Sequence, residues 1–292
     1  MPRPPSTAPS IESTTARAPA DTPPSALQPG IVATVRILAA TDVHYRLVHF
    51  DWLVANSGSA DVIVLSGDLA DIASPVPLEV QIVVIERYLE QLAESAVVFV
   101  VSGNHDLDGP GAHGEQVASW LRRPRNGPVH SDGASVDLDG HRFTMCPWWD
   151  GPITRQAVDA QLELAAVDRP GKWVWLYHAP PAGTVLCHDG RRDFPDQDLA
   201  DWITRHQPDI VFTGHIHHAP WTEGGSWHDR LGDTYVFNAG RQIGKIPAHI
   251  RVDTTSGTVD WFGVFDNQSI SLRQKSAQPS GSRAEPGRAV AW

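Results

Sequence analysis

The chain has 292 residues, of which 41% are hydrophobic and 20% are charged, so it is long enough for one large domain or two small ones. Its two cysteines, Cys146 and Cys187, are too few for a disulfide framework or a four-thiolate zinc site. The net charge of −11 disfavours the broad basic surface that binds duplex nucleic acid, whereas fourteen histidines offer many candidate metal ligands.

The two ends of the chain differ in composition from its body. Pro, Ser, Thr and Ala fill most of residues 1–30, which predicts a disordered arm. Residues 269–292 are again rich in Ser, Pro, Gly and Arg, which predicts a flexible basic tail, so the folded domain is expected over 31–268. The sequence has no signal-peptide segment and no apolar run of roughly 18 to 20 residues, which predicts a soluble cytoplasmic protein without membrane contact.

Short β-branched runs alternate with amphipathic stretches along the body. Strands are predicted at Val32–Ala40, Val62–Leu65 and Val97–Val101, and a crossover helix over Leu78–Ser95 implies parallel pairing. The other predicted elements are a helix over Ile153–Asp168 and strands at Ser135–Leu138, His141–Cys146, Lys172–Tyr177, Asp209–Thr213, Thr234–Asn238, Ala248–Val252 and Thr258–Phe262. The closely spaced late strands are expected to pair antiparallel. This pattern predicts a layered α/β sandwich rather than a helical bundle or a pure barrel.

Five of these strands run directly into polar blocks that contain metal-ligating side chains. The blocks, in chain order, are Asp42-Val43-His44, Gly67-Asp68-Leu69-Ala70-Asp71, Gly103-Asn104-His105-Asp106, Tyr177-His178 and Gly214-His215-Ile216-His217. Taken singly, each block is also typical of a capped turn or a surface histidine. Taken together they are expected to converge, because open α/β sheets bind ligands at the carboxyl ends of their strands and a pair of close cations needs ligands from several strands.

These five blocks, in this order, resemble the calcineurin-like metallophosphoesterase family. The resemblance covers Asp42 to His217 and implies a four-layer αββα sandwich, in which two mixed β-sheets are flanked by helices, with residues 31–268 as its catalytic domain. It implies two metal ions bridged by one carboxylate. The ligands it implies are Asp42, His44, Asp68 and His217 for one ion, and Asp68, Asn104, His178 and His215 for the other. Such mixed nitrogen and oxygen ligands suit divalent or trivalent Mn, Fe, Zn or Co rather than Ca or Mg.

The resemblance also implies a mechanism. A hydroxide between the two ions would attack phosphorus, and His105, which is not a ligand in the family pattern, would donate a proton to the leaving alkoxide. Asp106 is expected to orient the His105 ring and to raise its basicity. Asp71 is expected behind the metal ligands or at a helix cap.

The type of phosphoester is a separate question. Ile72 follows Asp71 at the position where the Ser/Thr protein phosphatases of this superfamily have a substrate-binding arginine. This departure favours the small-substrate branch, similar to class III cyclic nucleotide phosphodiesterases, and predicts hydrolysis of small or cyclic nucleotide-type diesters. Two alternatives stay open, a phosphomonoesterase on a small metabolite and a non-catalytic metal-binding or interaction module. A nuclease on long duplexes fits poorly with the acidic charge.

Three segments outside the blocks are candidates for substrate contacts. Trp148 and Trp149 are candidates to stack a base, although paired tryptophans are also typical of a core. Arg241 lies in a turn after a predicted strand and is expected to face the phosphate. Residues 187–192 are candidates for a phosphate clamp, with a solvated loop as the alternative.

Overall fold

Two large mixed β-sheets form the body of the protein in the computed structural model, which describes residues 34–125 and 127–272. The predicted arm over residues 1–30 and most of the predicted tail over 269–292 lie outside the described residues. The last described strand ends at Ser271, beyond the predicted domain end at residue 268. The domain boundaries stay predictions.

Fifteen strands and four α-helices make up most of the regular structure of the described residues. The strands are β1 Arg36–Ala40, β2 Val62–Ser66, β3 Val97–Val101, β4 Gly109–Pro110, β5 Gln116–Val117, β6 Val129–His130, β7 Ser135–Leu138, β8 His141–Met145, β9 Lys172–Leu176, β10 Ile210–Thr213, β11 His228–Leu231, β12 Thr234–Asn238, β13 His249–Asp253, β14 Thr258–Phe262 and β15 Asn267–Ser271. The helices are α1 Leu47–Asn56, α2 Leu78–Ala93, α3 Pro152–Ala165 and α4 Gln197–His206.

The first sheet has seven strands in the order β15-β14-β13-β1-β2-β3-β6, and the second has six in the order β11-β12-β10-β9-β8-β7. Strands β1, β2 and β3 pair parallel and β13 and β14 pair antiparallel, as predicted. Strands β6 and β15 were not predicted, and they extend the sheet by parallel pairing with β3 and antiparallel pairing with β14. In the second sheet β8, β9, β10 and β12 pair parallel, with antiparallel strands β7 and β11 at its two edges. Strands β4 and β5 form a separate small hairpin.

Alternation along the strands produces three apolar layers. Ile37 and Ala39 of β1 face the second sheet, whereas Leu38 and Ala40 face the layer beside α1 and α2. The second sheet likewise packs Trp173 and Trp175 against α3 and α4. Because successive side chains of a strand point to opposite faces, a central strand such as β3 (Val97–Val101) carries apolar residues on both faces. The resulting order of helices, sheet, sheet and helices confirms the predicted four-layer sandwich.

Two of the four α-helices were predicted from the sequence and two were not. The predictions of α2 and α3 are confirmed to within a few residues at their ends. Helix α4 was not predicted, although Asp196 caps it by accepting a hydrogen bond from the Leu199 N–H at 2.8 Å. Helix α1 was also missed, and its first residue follows Arg46, whose side chain makes no capping bond. Within residues 34–125 and 127–272, none of the helices has the length and apolar content that crossing a bilayer requires.

Candidate metal centre

The five polar blocks meet at one edge of the two sheets. Asp42 and Asp68 follow β1 and β2, Asn104 follows β3, and the turns after β9 and β10 carry His178 and His215. Backbone bonds continue the sheets into these turns, since the Asp42 N–H donates to the Gly67 carbonyl at 3.1 Å and the Gly214 N–H donates to the His178 carbonyl at 2.7 Å. The rigid sheets therefore fix where each of these side chains starts.

Four of the predicted ligands lie in the left-handed region of backbone conformation. Their φ angles are 52° at Asp42, 46° at His44, 52° at Asp68 and 67° at His215. A residue with a β-carbon pays a conformational cost there, although Asp and His tolerate it better than most. Such strain persists only where the surrounding structure enforces it, and it concentrates at functional sites.

Glycines allow the turns to approach one another closely. A β-carbon at Gly103 would overlap the Asp68 Oδ1 atom, and one at Gly67, where φ is +92°, would overlap the ring of His178. The glycines that open two of the blocks are therefore required by the side chains of other blocks.

One group of ligand atoms comes from Asp42, His44, Asp68 and His217, and these atoms all lie within 4.8 Å of one another. The Nε2 atoms of His44 and His217 are 2.9 Å apart. Asp42 Oδ1 lies 3.3 Å from His217 Nε2, and Asp68 Oδ2 lies 3.5 Å from His44 Nε2. Ligand atoms from the turns after β1, β2 and β10 thus converge on one point.

A second group joins Asp68 to His178 and His215. Asp68 Oδ2 lies 3.1 Å from His178 Nε2, so the same carboxylate oxygen faces both groups. Asn104 belongs to this group as well, because its Oδ1 atom lies 2.9 Å from His215 Nδ1. The structure therefore brings together all seven residues predicted as metal ligands.

The donor atoms of the centre fit a transition-metal ion. His178 Nδ1 must carry a proton, because it donates to the Ser66 carbonyl at 2.7 Å, so in the neutral ring the lone pair lies on Nε2. The Nε2 atom is buried and has no hydrogen-bond partner among the described residues. An orphaned buried nitrogen beside two carboxylates is the arrangement that a bound cation completes.

The acidic groups of the centre stay ionised. Burial alone would raise the pKa of Asp42, but hydrogen bonds from His217 and His44 outweigh it and hold that pKa well below its usual range. Asp68 is also buried, and the charge of His178 lowers its pKa. Burial opposes the charged form of His178, yet the two carboxylates raise its pKa to about 9. The charged form of His178 therefore balances part of the two buried negative charges, and a bound cation would take the place of its Nε2 proton.

His105 lies beside the centre, with its ring centroid 4.5 Å from that of His44. Its Nδ1 atom accepts from the Ile72 N–H at 3.3 Å and lies 3.5 Å from Asp71 Oδ1. Asp71 is thus the carboxylate next to this ring, and it does not cap a helix, since α2 begins only at Leu78. Burial lowers the pKa of His105, while the charges of Asp68 and Asp71 act to raise it. The Nδ1 atom can accept from the Ile72 N–H when it is unprotonated and can donate to Asp71 when it is protonated. The other ring nitrogen, Nε2, is therefore the one left for a ligand.

The predicted role of Asp106 is corrected by its contacts. The Asp106 carboxylate is buried and accepts from the backbone N–H groups of Ala70 and Gly103, each at 2.8 Å, and of Leu69 at 3.3 Å. It therefore ties the turn after β3 to the turn after β2 and does not orient the His105 ring. The chain turns directly after His105, which directs the two neighbouring side chains to different partners.

Replacing Asp106 by Ala is expected to destabilise the fold. The change leaves three N–H groups without their acceptor, which predicts a loss of roughly 2–5 kcal/mol in the free energy of unfolding. Urea denaturation of the metal-free protein measures it, with the exposed Asp233→Ala as a control expected within about 0.5 kcal/mol of wild type. Unchanged stability together with lost turnover would instead support the pairing of Asp106 with His105.

Of the three candidate substrate contacts, Trp148 and Arg241 adjoin predicted metal ligands. The Trp148 ring lies 5.7 Å from that of His178 and 5.5 Å from that of His215, at the wall of the centre. Trp148 and Trp149 are both partly buried against the apolar layer beside α3 and α4, so base stacking by either ring stays a prediction. The Arg241 backbone N–H donates to the His217 carbonyl at 3.0 Å, so its turn adjoins a predicted ligand, and a guanidinium contact with phosphate stays a prediction.

Two cavities show that size alone does not locate the site. A cavity of about 810 Å³ lies beside α3 and is lined by residues such as Arg122, Arg142 and Leu164, none of which is a predicted ligand. A smaller one of about 230 Å³ is lined in part by His215 and His217. It also includes Phe194, which the sequence alone does not mark as functional, because a single aromatic residue in a loop carries no distinctive pattern.

Comparisons with known proteins agree with this geometry. Two similar solved structures are TT1561 of Thermus thermophilus and the purple acid phosphatase PPD1 from yellow lupin (Lupinus luteus) seeds. The first is 16% identical with a TM-score of 0.53 and aligns over 82% of this chain and 100% of its own. The second is 15% identical with a TM-score of 0.52 and aligns over 84% of this chain and 55% of its own. At these identities the likeness shows the fold alone.

Sequence comparison gives the family. A search of curated protein sequences finds no match. A family profile, described as calcineurin-like phosphoesterase, matches residues 35–219, a span that includes all five polar blocks and more than half of the chain. The chain therefore belongs to the calcineurin-like phosphoesterase family.

Proposed function

We propose that this protein is a dinuclear metal-dependent phosphoester hydrolase and that its substrates are small phosphodiesters. The observation that carries the proposal is the position of Asp68, whose Oδ2 atom lies 3.5 Å from His44 Nε2 and 3.1 Å from His178 Nε2. A carboxylate shared by two ligand groups supports a pair of ions, because an anion between two cations offsets their repulsion. The nitrogen and oxygen donors suit Mn, Fe or Zn.

The residues around the ions have distinct tasks. When bound, the ions supply Lewis acidity and a nucleophile derived from water near neutral pH. Asp42 and Asp68 supply the negative charge that holds them, and His178 keeps its Nε2 lone pair available because Nδ1 donates to the Ser66 carbonyl. His105 delivers a proton to the leaving oxygen, and the Asp71 carboxylate stabilises the ring while it is protonated.

The charge near the centre supports diesters over monoesters. Ile72 stands beside His105 with 64% of its surface exposed, at the position where an arginine would add a positive charge. A phosphomonoester carries roughly 1.5 to 2 negative charges at neutral pH, whereas a diester carries one, so a diester needs less positive charge from the protein. A diester also has an alkoxide leaving group that benefits from an acid such as His105.

Metal removal is the first test of this proposal. We expect the purified protein to contain bound transition metal and to hydrolyse bis-p-nitrophenyl phosphate faster than p-nitrophenyl phosphate. Chelator should abolish turnover, because in this proposal the metal ions supply the nucleophile. Added Mn²⁺ should restore the activity. Metal analysis and initial rates measure both effects, and Asp68→Asn prepared in parallel controls for contaminating phosphatases.

The other outcomes of this experiment identify the two alternatives. A preference for the monoester would replace the diester assignment with a phosphomonoesterase on a small metabolite. Bound metal without turnover on either ester would indicate a metal-binding module without catalysis. Turnover that survives complete metal removal would contradict the dinuclear mechanism.

A further inference from the structure

A small cavity adjoins the metal centre on the side of the turn after β10. Its volume is about 230 Å³, equal to on the order of eight water molecules at about 30 Å³ each. It is lined by Asp189, Phe194, His215, Ile216, His217 and His218. Two of these residues are predicted metal ligands, so a phosphoester held by the metals would have one of its substituents next to this cavity.

The outer wall of the cavity is a hydrogen-bonded turn over residues 187–194. The Phe194 N–H donates to the Cys187 carbonyl at 2.9 Å, and a side-chain contact of 2.8 Å joins His188 Nδ1 to Asp193 Oδ1. The same two residues, His188 and Asp193, form an antiparallel bridge. A wall held in this way is preorganised, so a ligand need not order it on binding.

The wall combines an aromatic ring with a carboxylate. Phe194 is half-buried, and the Arg192 guanidinium lies over its ring, 4.3 Å from the centroid. Asp189 Oδ1 accepts from the N–H groups of Arg191 and Arg192 at 2.8 and 2.9 Å. Its Oδ2 atom takes no hydrogen bond within the part of the chain that the structure describes, so it is the oxygen left to accept from a ligand.

These features select one kind of substituent. The Phe194 ring favours a flat aromatic group, because such rings stack and bury apolar surface. The Asp189 carboxylate favours a ligand with an N–H or O–H donor. A nucleobase with its ribose satisfies both requirements, whereas a second phosphate or a plain acyl chain satisfies neither.

We propose that this cavity is a nucleoside subsite, in which Phe194 packs against the base and Asp189 accepts a hydrogen bond from the nucleoside. The proposal rests on the proposed function. It assigns the choice of substrate to the turn over residues 187–194, which contains the predicted clamp segment 187–192. The metals hold the phosphate, and the subsite holds the uncharged group attached to it.

The test compares two esters that share a leaving group. Wild-type protein with Mn²⁺ is expected to prefer the p-nitrophenyl ester of thymidine 5′-phosphate over methyl p-nitrophenyl phosphate in kcat/KM. Phe194→Ala should reduce this preference about tenfold and should leave the rate on the methyl ester unchanged, since that ester has nothing to stack. Asp189→Asn should reduce the preference by a smaller factor, and Phe265→Ala, which removes an 86% exposed ring elsewhere, should not change it.

Binding gives a second readout that does not need catalysis. Calorimetry with thymidine 5′-phosphate and the metal-loaded protein should show weaker binding for Phe194→Ala than for Phe194→Leu and wild type. If wild type shows no preference for the thymidine ester, or if Phe194→Ala slows both esters equally, the subsite is wrong. If neither ester is hydrolysed, the proposed function fails, and the calorimetry then decides the subsite: binding weakened by Phe194→Ala supports it, and equal or absent binding overturns it.

Discussion

Asp68→Asn is expected to abolish metal loading and turnover together. The Asp68 Oδ2 atom faces both ligand groups, at 3.5 Å from His44 Nε2 and 3.1 Å from His178 Nε2. An amide at this position removes the negative charge that the two proposed ions would share, while keeping the size of the side chain. We expect turnover to fall by roughly three orders of magnitude or more, and bound metal to be lost with it.

The amide substitution separates loss of charge from loss of fold. Asp68 Oδ1 accepts a hydrogen bond from the His105 N–H at 2.8 Å, and an asparagine oxygen can accept the same bond. Circular dichroism and urea denaturation should therefore show a folded protein. The exposed Asp233→Asn is the matched control and should keep both metal content and rate. A variant at position 68 that retained two ions and wild-type rates would refute the shared carboxylate.

The location of this centre could be predicted from sequence because the signal is local. Residues 97–101 are all apolar and residues 103–106 are all polar or glycine, and this abrupt change marks the carboxyl end of a buried strand. Five such changes, each followed by ligand-type residues, place the polar blocks at the ends of parallel strands. The assignment of particular side chains as ligands rests instead on the resemblance to the metallophosphoesterase family.

The partners of these side chains could not be predicted in the same way. Asp106 is adjacent to His105 in sequence, yet its carboxylate binds backbone N–H groups after β2, while Asp71 of another turn lies 3.5 Å from His105 Nδ1. Which carboxylate meets which ring depends on turn conformations such as the positive φ of Asp68, and no pattern of residue types encodes those. Strand order was undetermined for the same reason, because it depends on contacts distant in sequence.

His105→Ala is expected to slow turnover most for substrates whose leaving groups have a high pKa, because these depend most on receiving a proton. On diesters with alkyl leaving groups the loss should reach roughly 10²–10⁴-fold, whereas p-nitrophenolate, a good leaving group, should show a much smaller loss. Metal content should not change, because His105 is not among the ligands that the family resemblance implies, although its ring lies close to His44 and Asp71. A series of methyl aryl phosphates with leaving groups of increasing pKa measures this as a steeper dependence of log kcat/KM on that pKa.

The carboxylate that supports His105 can be identified from the same series. Asp71→Asn should reproduce the steeper leaving-group dependence with a smaller loss of roughly 10–100-fold, because it weakens the stabilisation of the protonated ring without removing the ring. Asp106→Asn should affect all esters alike, since its side chain holds the turns after β2 and β3 in place. The reverse result, in which only Asp106→Asn steepens the dependence, would show that Asp106 and not Asp71 supports the protonated His105 ring. Equal losses for His105→Ala on every ester would show that this ring positions the substrate and does not donate the proton.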